Sequence, residues 1–282
     1  MNDEKILIVG LGLIGGSYAE ALTNAGFQVG AIDTSSESIE YALGKGIITE
    51  GSVSLKKEFI SRYSLIVFCL YPNTFVEWIK AHQDLIASGT LITDVSGVKV
   101  PVVYEIQRML RPDLEFIGAH PMAGRERSGV ANSDSSVFKG ANYLVTPTAA
   151  NTPEAIERCK ELGRRMGFGM ISELSPEEHD EMIGFLSQLT HCVAVSLMTC
   201  RETSEMAKYS GDSFRDLTRI AAINETMWSE LFLLNRDVLV HQIDLFTGSM
   251  ETLKKAIVEG DTETLKAVMR ESSRKRKLFE KK

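Results

Sequence analysis

Two groups of residues in this 282-residue chain have the types and spacing for chemistry. The first is Gly10-Leu11-Gly12-Leu13-Ile14-Gly15-Gly16-Ser17, which follows the apolar run Ile6-Leu7-Ile8-Val9. In a strand–turn–helix setting Gly10 permits the tight turn, Gly12 lets the backbone approach a pyrophosphate, and Gly15 allows helix to pack closely on strand. Leu13 and Ile14 then open a helix whose N-terminus stabilises phosphate charge. Asp33 ends the next apolar run, 18 residues after Gly15, where a carboxylate bonds the adenosine ribose hydroxyls. It would repel a 2′-phosphate, and Thr34-Ser35-Ser36 supply no arginine to bind one, so NAD is favoured over NADP. The alternative is a glycine-rich turn and a surface aspartate with no ligand. The order strand, helix, strand, acid weighs against it.

The second group lies at later strand ends, where a nicotinamide needs its substrate and a catalytic group. Leu70-Tyr71-Pro72 ends the third main run, so Leu70 and Pro72 are expected beside the cofactor. Asp94-Val95-Ser96-Gly97-Val98-Lys99 ends the fourth, and Gly118-Ala119-His120-Pro121-Met122-Ala123-Gly124-Arg125-Glu126 ends the fifth. With an unperturbed pKa of about 6.5, the His120 imidazole can accept a hydroxyl proton as hydride leaves the same carbon. A loop histidine bonded to backbone is the bland alternative. Ser96 could orient His120 or touch the nicotinamide, and it would serve equally as a helix N-cap. Gly184, Ser187, Gln188 and His191 recur three or four apart, on one helix face that borders a polar ligand or forms a hydrogen-bonded core. Arg215 and Arg219 share a face too, with Asp216 beside Arg219. An arginine held by an acid suits bidentate carboxylate binding, a surface ion pair being the alternative.

Short apolar runs at residues 6–9, 28–32, 65–70, 90–93, 115–118, 142–146 and 169–172 must hold these residues, with helical periods at 15–25, 36–43, 74–86 and 98–110. Strands apolar throughout and separated by helices imply a mostly parallel sheet covered on both faces. Past residue 173 no convincing strand follows. Thr152-Pro153-Glu154 marks one helix start, and Ser175-Pro176-Glu177-Glu178 reads as a capping box with proline at N1. A long helix is expected from there to about residue 202, then helices at 213–222, 228–249 and 261–274. The expected architecture is an α/β Rossmann-type, doubly wound domain over 1–173 followed by an all-helical domain over 174–282. The length suits two domains.

Hydrophobic residues at 44% and charged residues at 24% exclude a disordered chain. A net charge of −7 disfavours nucleic acid as a partner. Residues 270–282 carry seven basic groups against Glu271 and Glu280, a net +5 that leaves −12 on the remainder. A solvated helix end is the expected reading of that tail. No uncharged apolar run near ~18 residues is read from the sequence, nor a secretory signal, so a cytoplasmic protein without membrane contact is expected. Cys69, Cys159, Cys192 and Cys200 show no Cys-x-x-Cys spacing and read as free buried thiols, with no metal site.

Residues 10–17, 94–99, 120–126, 187–191 and 214–221, followed by Met227-Trp228, together resemble the prephenate/arogenate dehydrogenase family of tyrosine biosynthesis. The resemblance runs from Ile6 to beyond Trp228. It implies a Rossmann domain, a helical domain forming an intertwined homodimer, and an active site in the cleft between domains. It also implies NAD-dependent oxidative decarboxylation of prephenate to 4-hydroxyphenylpyruvate, or of arogenate to tyrosine. His120 would take the ring-hydroxyl proton, Arg219 would bind the ring carboxylate, His191 would contact substrate, and Glu126 would stand at the cleft entrance. Ser187 and Gln188 would lie nearby, Gln188 at a position that is histidine in some members. Gly97 departs from a common serine and Arg125 from a common serine or threonine. Arg125 then either binds a substrate carboxylate or pairs with Glu126. A 3-hydroxyacid dehydrogenase or imine reductase would also join a Rossmann domain to helices. The hydroxyacid enzymes usually carry a lysine followed four residues later by asparagine, a pair absent after residue 173. A non-catalytic nucleotide sensor would tolerate loss of His120.

Overall fold

After Lys5, apolar residues run unbroken to the end of β1 (Lys5–Val9) because both of its faces are covered. The computed structural model describes residues 4–124, 127–202 and 204–280. After β1 come α1 (Leu13–Asn24), β2 (Gln28–Ile32), α2 (Ser36–Gly44), β3 (Glu50–Ser52), α3 (Lys57–Ile60), β4 (Leu65–Phe68) and α4 (Pro72–His82). Then follow β5 (Leu91–Asp94), α5 (Val100–Met109), β6 (Glu115–Met122), β7 (Asn142–Thr146), α6 (Pro153–Arg165) and β8 (Met170–Glu173). Ile6 and Ile8 join one core with Tyr18 and Leu22 of α1, while Leu7 and Val9 join a second with Phe75, Ile79 and Ile106 of α4 and α5. Each fully buried side chain of this kind contributes roughly 1.5–3 kcal/mol.

The strands form one sheet in the order β3-β2-β1-β4-β5-β6-β7-β8, parallel except where β6 meets β7. The order reverses beside β1, which opens a crevice at the carboxyl ends of β1 and β4. Two short elements, β3 and α3, escaped the sequence reading because three- and four-residue pieces carry too little periodicity. The strand expected at 115–118 instead runs to Met122. Its parallel pairing with β5 stops at Ile117, while antiparallel pairing with β7 continues from Gly118 to Met122. His120 therefore sits within a strand, opposite Leu144, not in a loop beyond it.

The capping box at Ser175 and Glu178 forms as read, and α7 (Pro176–Ile183) follows. The long helix is not uniform, however. A π-helical stretch, Gly184–Leu189, separates α7 from α8 (Thr190–Thr199), and helix ends before residue 202. The helix expected at 213–222 is α9 (Asp212–Thr218) plus a 3₁₀ turn, Arg219–Ala221. The one expected at 228–249 breaks at Asn235 into α10 (Glu225–Leu234) and α11 (Arg236–Glu259). Contacts group residues 1–235, sheet and helices alike, into one compact unit. Residues 236–282 form the other, in which α11 packs on α12 (Thr262–Arg276).

By length and composition one helix, Pro176–Thr199, is apolar enough to cross a membrane, contrary to the expectation of no such run. Its first turns carry His179 and Asp180, both buried and hydrogen-bonded to β6 and α5. The thiols are unbridged, but only Cys159 is fully buried and Cys200 is exposed, which corrects the uniformly buried expectation. At the basic tail Arg274 and Lys275 pair with Glu271 on the exposed end of α12.

Candidate active site

The glycine loop shows why its residues are glycines. Gly10 has φ +96° and donates its N–H to Ile32 O at 2.8 Å. A Cβ on Gly15 would lie 1.8 Å from Gly10 O, so no side chain fits there. Gly12 is exposed, with nothing within 4 Å of where its Cβ would stand. It precedes an α1 start that has no side-chain cap, leaving first-turn N–H groups of Leu13 and Ile14 available to a phosphate. Leu70 presses on Gly10 from the end of β4, and Pro72 is the buried first residue of α4. Asp33 braces the loop: Oδ2 accepts from Leu11 N at 2.6 Å and Oδ1 from Ser35 N at 2.8 Å. An open Gly12, an uncapped helix start and a carboxylate at the end of β2 fit a dinucleotide such as NAD.

At the ends of β5 and β6 a buried polar cluster replaces the missing ladder. Ala119 N donates to Asp94 Oδ1 at 3.0 Å, just where β5 and β6 stop pairing. Asp94 is ion-paired with Lys99 at 2.7 Å, and both side chains are essentially inaccessible. The Ser96 hydroxyl also donates to Asp94, and Lys99 Nζ reaches Ser96 Oγ at 3.2 Å. Ser96 thus fastens this loop. No hydrogen bond joins it to His120, and it does not cap α5, whose first N–H groups are taken by Asp180. Both the orienting role and the N-cap role expected of Ser96 are corrected accordingly.

His120 Nδ1 lies 2.9 Å from His179 Nε2, and His179 Nδ1 lies 2.7 Å from Asp180 Oδ1. Asp180 Oδ1 and Oδ2 in turn accept from Lys99 N at 2.7 Å and Val100 N at 2.8 Å. Burial, the His179 ring and the Lys99 ammonium hold His120 well below the ordinary imidazole range. His179 is pushed down to about 3, chiefly by burial and then by Lys99. Burial pushes Asp180 up to about 6 against the pull of its backbone donors and Lys99. Both rings are neutral at neutral pH, so His120 is in the form that accepts a proton. A Cβ on Gly97 would stand 3.8 Å from His120 Cε1 and 3.6 Å from Leu231, so the departure at Gly97 leaves room beside the ring.

The helices bring further expected residues toward this end. His191 stacks on Trp228, ring centroids 3.7 Å apart, and its Nδ1 bonds Ser187 O at 2.9 Å. Ser187 is half-buried. Gln188 is turned inward: its amide donates to Leu231 O at 3.1 Å and accepts from Asn235 Nδ2 at 2.8 Å. The widened π stretch breaks the 3.6-residue register that put Ser187, Gln188 and His191 on one face. The 3₁₀ turn carrying Arg219 packs against α8, so the exposed Arg219 lies on the element next to His191. Arg215 is engaged by Ser210 O and Asp212. Helix α10 ties the parts together, with Glu230 accepting from Asn73 N at 2.6 Å and Asn224 reaching the Tyr71 hydroxyl at 3.1 Å. Arg125 and Glu126 lie outside the described residues. Sequence reasoning missed His179, Asp180 and Asn235. A histidine–aspartate pair in a first helical turn is an available signal, but only the fold reveals its partners.

Fold and site together define a nicotinamide-nucleotide oxidoreductase of the Rossmann type. The chain belongs to the prephenate dehydrogenase family. Residues 18–171 match the model for its nucleotide-binding domain and residues 175–271 that for its dimerization domain. It is 32% identical over 274 residues to a prephenate dehydrogenase of Bacillus subtilis, covering 94% of this chain and 74% of that protein. A cyclohexadienyl dehydrogenase of Zymomonas mobilis is 28% identical, with 97% and 95% covered. Among solved structures, prephenate dehydrogenase from Aquifex aeolicus with hydroxyphenyl propionate and NAD+ superposes with a TM-score of 0.89 at 30% identity, covering 99% of both chains.

Proposed function

We propose that this chain catalyses the NAD-dependent oxidative decarboxylation of prephenate to 4-hydroxyphenylpyruvate. The observation that carries the reading is a neutral, half-buried His120 at the carboxyl end of the sheet, in the same compact unit as the glycine loop and Asp33. When bound, NAD supplies the hydride acceptor. Gly10, Gly12, Leu13, Ile14 and Gly15 would hold its pyrophosphate, Asp33 would bond its adenosine ribose, and Leu70 and Pro72 would line its site. His120 Nε2 takes the ring-hydroxyl proton while hydride leaves the same carbon. Loss of the ring carboxylate as carbon dioxide makes the ring aromatic, so the protein mainly orients substrate and handles one proton. Arg219 binds a carboxylate, and His191 with Trp228 forms an aromatic wall.

Arogenate is the second substrate to test, since a relative acting on cyclohexadienyl substrates is 28% identical to the chain. Purified protein incubated with prephenate or arogenate and with NAD or NADP decides: NADH formed with prephenate and NAD is expected, and none with either acid rejects the reading. We propose a functional division near residue 173; a nucleotide-binding match that ends at 171 and a dimerization match that begins at 175 support it. The assembly is a cytoplasmic homodimer that binds neither nucleic acid nor membrane. The dimerization-domain match and the exposed Ile257, Val258 and Met269 of α11 and α12 support the dimer, and light scattering at twice 31.2 kDa is the expected result.

A further inference from the structure

We propose that His179 and Asp180 are positioning residues that fix the tautomer of His120, so that Nε2 carries the lone pair offered to the substrate. The proposal rests on the reading of His120 as the proton acceptor, and it follows from counting donors and acceptors. Two backbone N–H groups, of Lys99 and Val100, point at the two Asp180 oxygens, and backbone donors cannot reverse. Each Asp180 oxygen accepts a backbone N–H, and at neutral pH the ionised carboxylate has no proton to give, so His179 Nδ1 at 2.7 Å donates to Oδ1. A neutral imidazole has one N–H, so His179 Nε2 is a bare lone pair. His120 Nδ1, 2.9 Å away, must supply the proton of that bond. His120 Nε2 is left unprotonated, and among the described residues nothing hydrogen-bonds it.

Surrounding groups do not offer another arrangement. Lys99 and Asp94 are the other charged groups facing this chain, and they pair with each other. On α7 itself Glu177 bonds Tyr104 and Glu178 bonds Ser175. From the end of α10, Asn235 Nδ2 holds the Asp180 carbonyl at 3.0 Å, which fixes that turn of helix. Burial opposes a doubly protonated ring at either histidine. When the substrate hydroxyl gives its proton to His120 Nε2, the proton stays there. The resulting positive charge faces the His179 lone pair, with the Asp180 carboxylate behind it.

Two measurements test this on the full chain. Nitrogen NMR of the imidazoles, without cofactor or substrate, is expected to show His120 protonated at Nδ1 and bare at Nε2. In His179→Phe that proton is expected to move to Nε2. Wild-type His120 protonated at Nε2, or no change in the variant, overturns the proposal. In turnover, His179→Phe is expected to lower kcat by about 10²–10⁴-fold, as loss of a tautomer-setting partner does elsewhere, with NAD affinity within about threefold. His179→Gln, whose carbonyl can accept from His120 Nδ1, is expected to recover at least about tenfold of that loss. A merely space-filling role predicts that phenylalanine does as well as glutamine, and that result would sink the idea. If the phenylalanine variant does not fold, the wild-type spectrum and the glutamine variant still decide. Failure of the base assignment is separate: it shows as full activity in His120→Asn, whatever the tautomer found.

Discussion

His120 combines a place in a strand, a neutral ring held by burial, and an open nitrogen. General bases of this kind contribute about 10²–10⁴-fold. His120→Asn should therefore lower NADH production from prephenate by that factor, while NAD binding, measured by fluorescence titration, is retained. Unchanged turnover would remove His120 from the chemistry. Arg219 is expected to act on the other side of the reaction, through binding. Replacing it by alanine should raise the KM for prephenate at least about tenfold with little change in NAD affinity, as loss of a bidentate carboxylate contact requires. An effect on NAD affinity alone would argue against a carboxylate partner.

Among the elements, the join between α5 and α7 matters most. Asp180 on α7 caps α5 in place of a local side chain, so the helix that begins beside Ser96 is completed by a residue 80 positions away. Below it lies the Lys99–Asp94 pair, whose burial makes each partner dependent on the other. Lys99→Met should lower unfolding free energy by about 3–5 kcal/mol, because Asp94 is left buried without its cation. Urea denaturation followed by circular dichroism measures this. Adding Asp94→Leu should restore part of the loss, but not all, since Ala119 N–H then loses its acceptor. A lysine variant as stable as the wild type would mean the pair contributes nothing.

For the whole molecule these buried groups make stability depend on pH. His120 and His179 titrate below the value of about 6.5 they have when unfolded. As pH falls from about 6.5, the unfolded chain binds protons that the folded chain refuses, so both histidines make stability fall toward acid. Asp180 works the other way between about 4 and 6, because its folded form holds the proton more tightly. Two histidines outweigh one acid, and the urea midpoint should be lower at pH 5 than at pH 7.5. The drop should shrink in His179→Gln, and an undiminished drop would show that His179 titrates as freely folded as unfolded.

The sequence alone determined the parts written in local pattern: the glycine turn, the terminal acid of β2, the parallel α/β order and the capping box at Ser175. These depend on neighbours within a few residues or on simple periodicity, and so they were legible. Other features depend on residues brought together from afar. His120 became a strand residue because β7 pairs with it after β5 has stopped, and Pro121 and Gly118 had disguised that strand as a loop. Ser96 turned toward Asp94, and Gln188 turned toward Asn235 through a π stretch whose wider turn no 3.6-residue count anticipates. The chain His120–His179–Asp180 spans sequence separations of 59 and 1, and its polarity is set by backbone N–H groups of a third element. Hydrogen-bond direction belongs to the assembled fold, which is why only the tertiary structure decides which nitrogen of His120 is free.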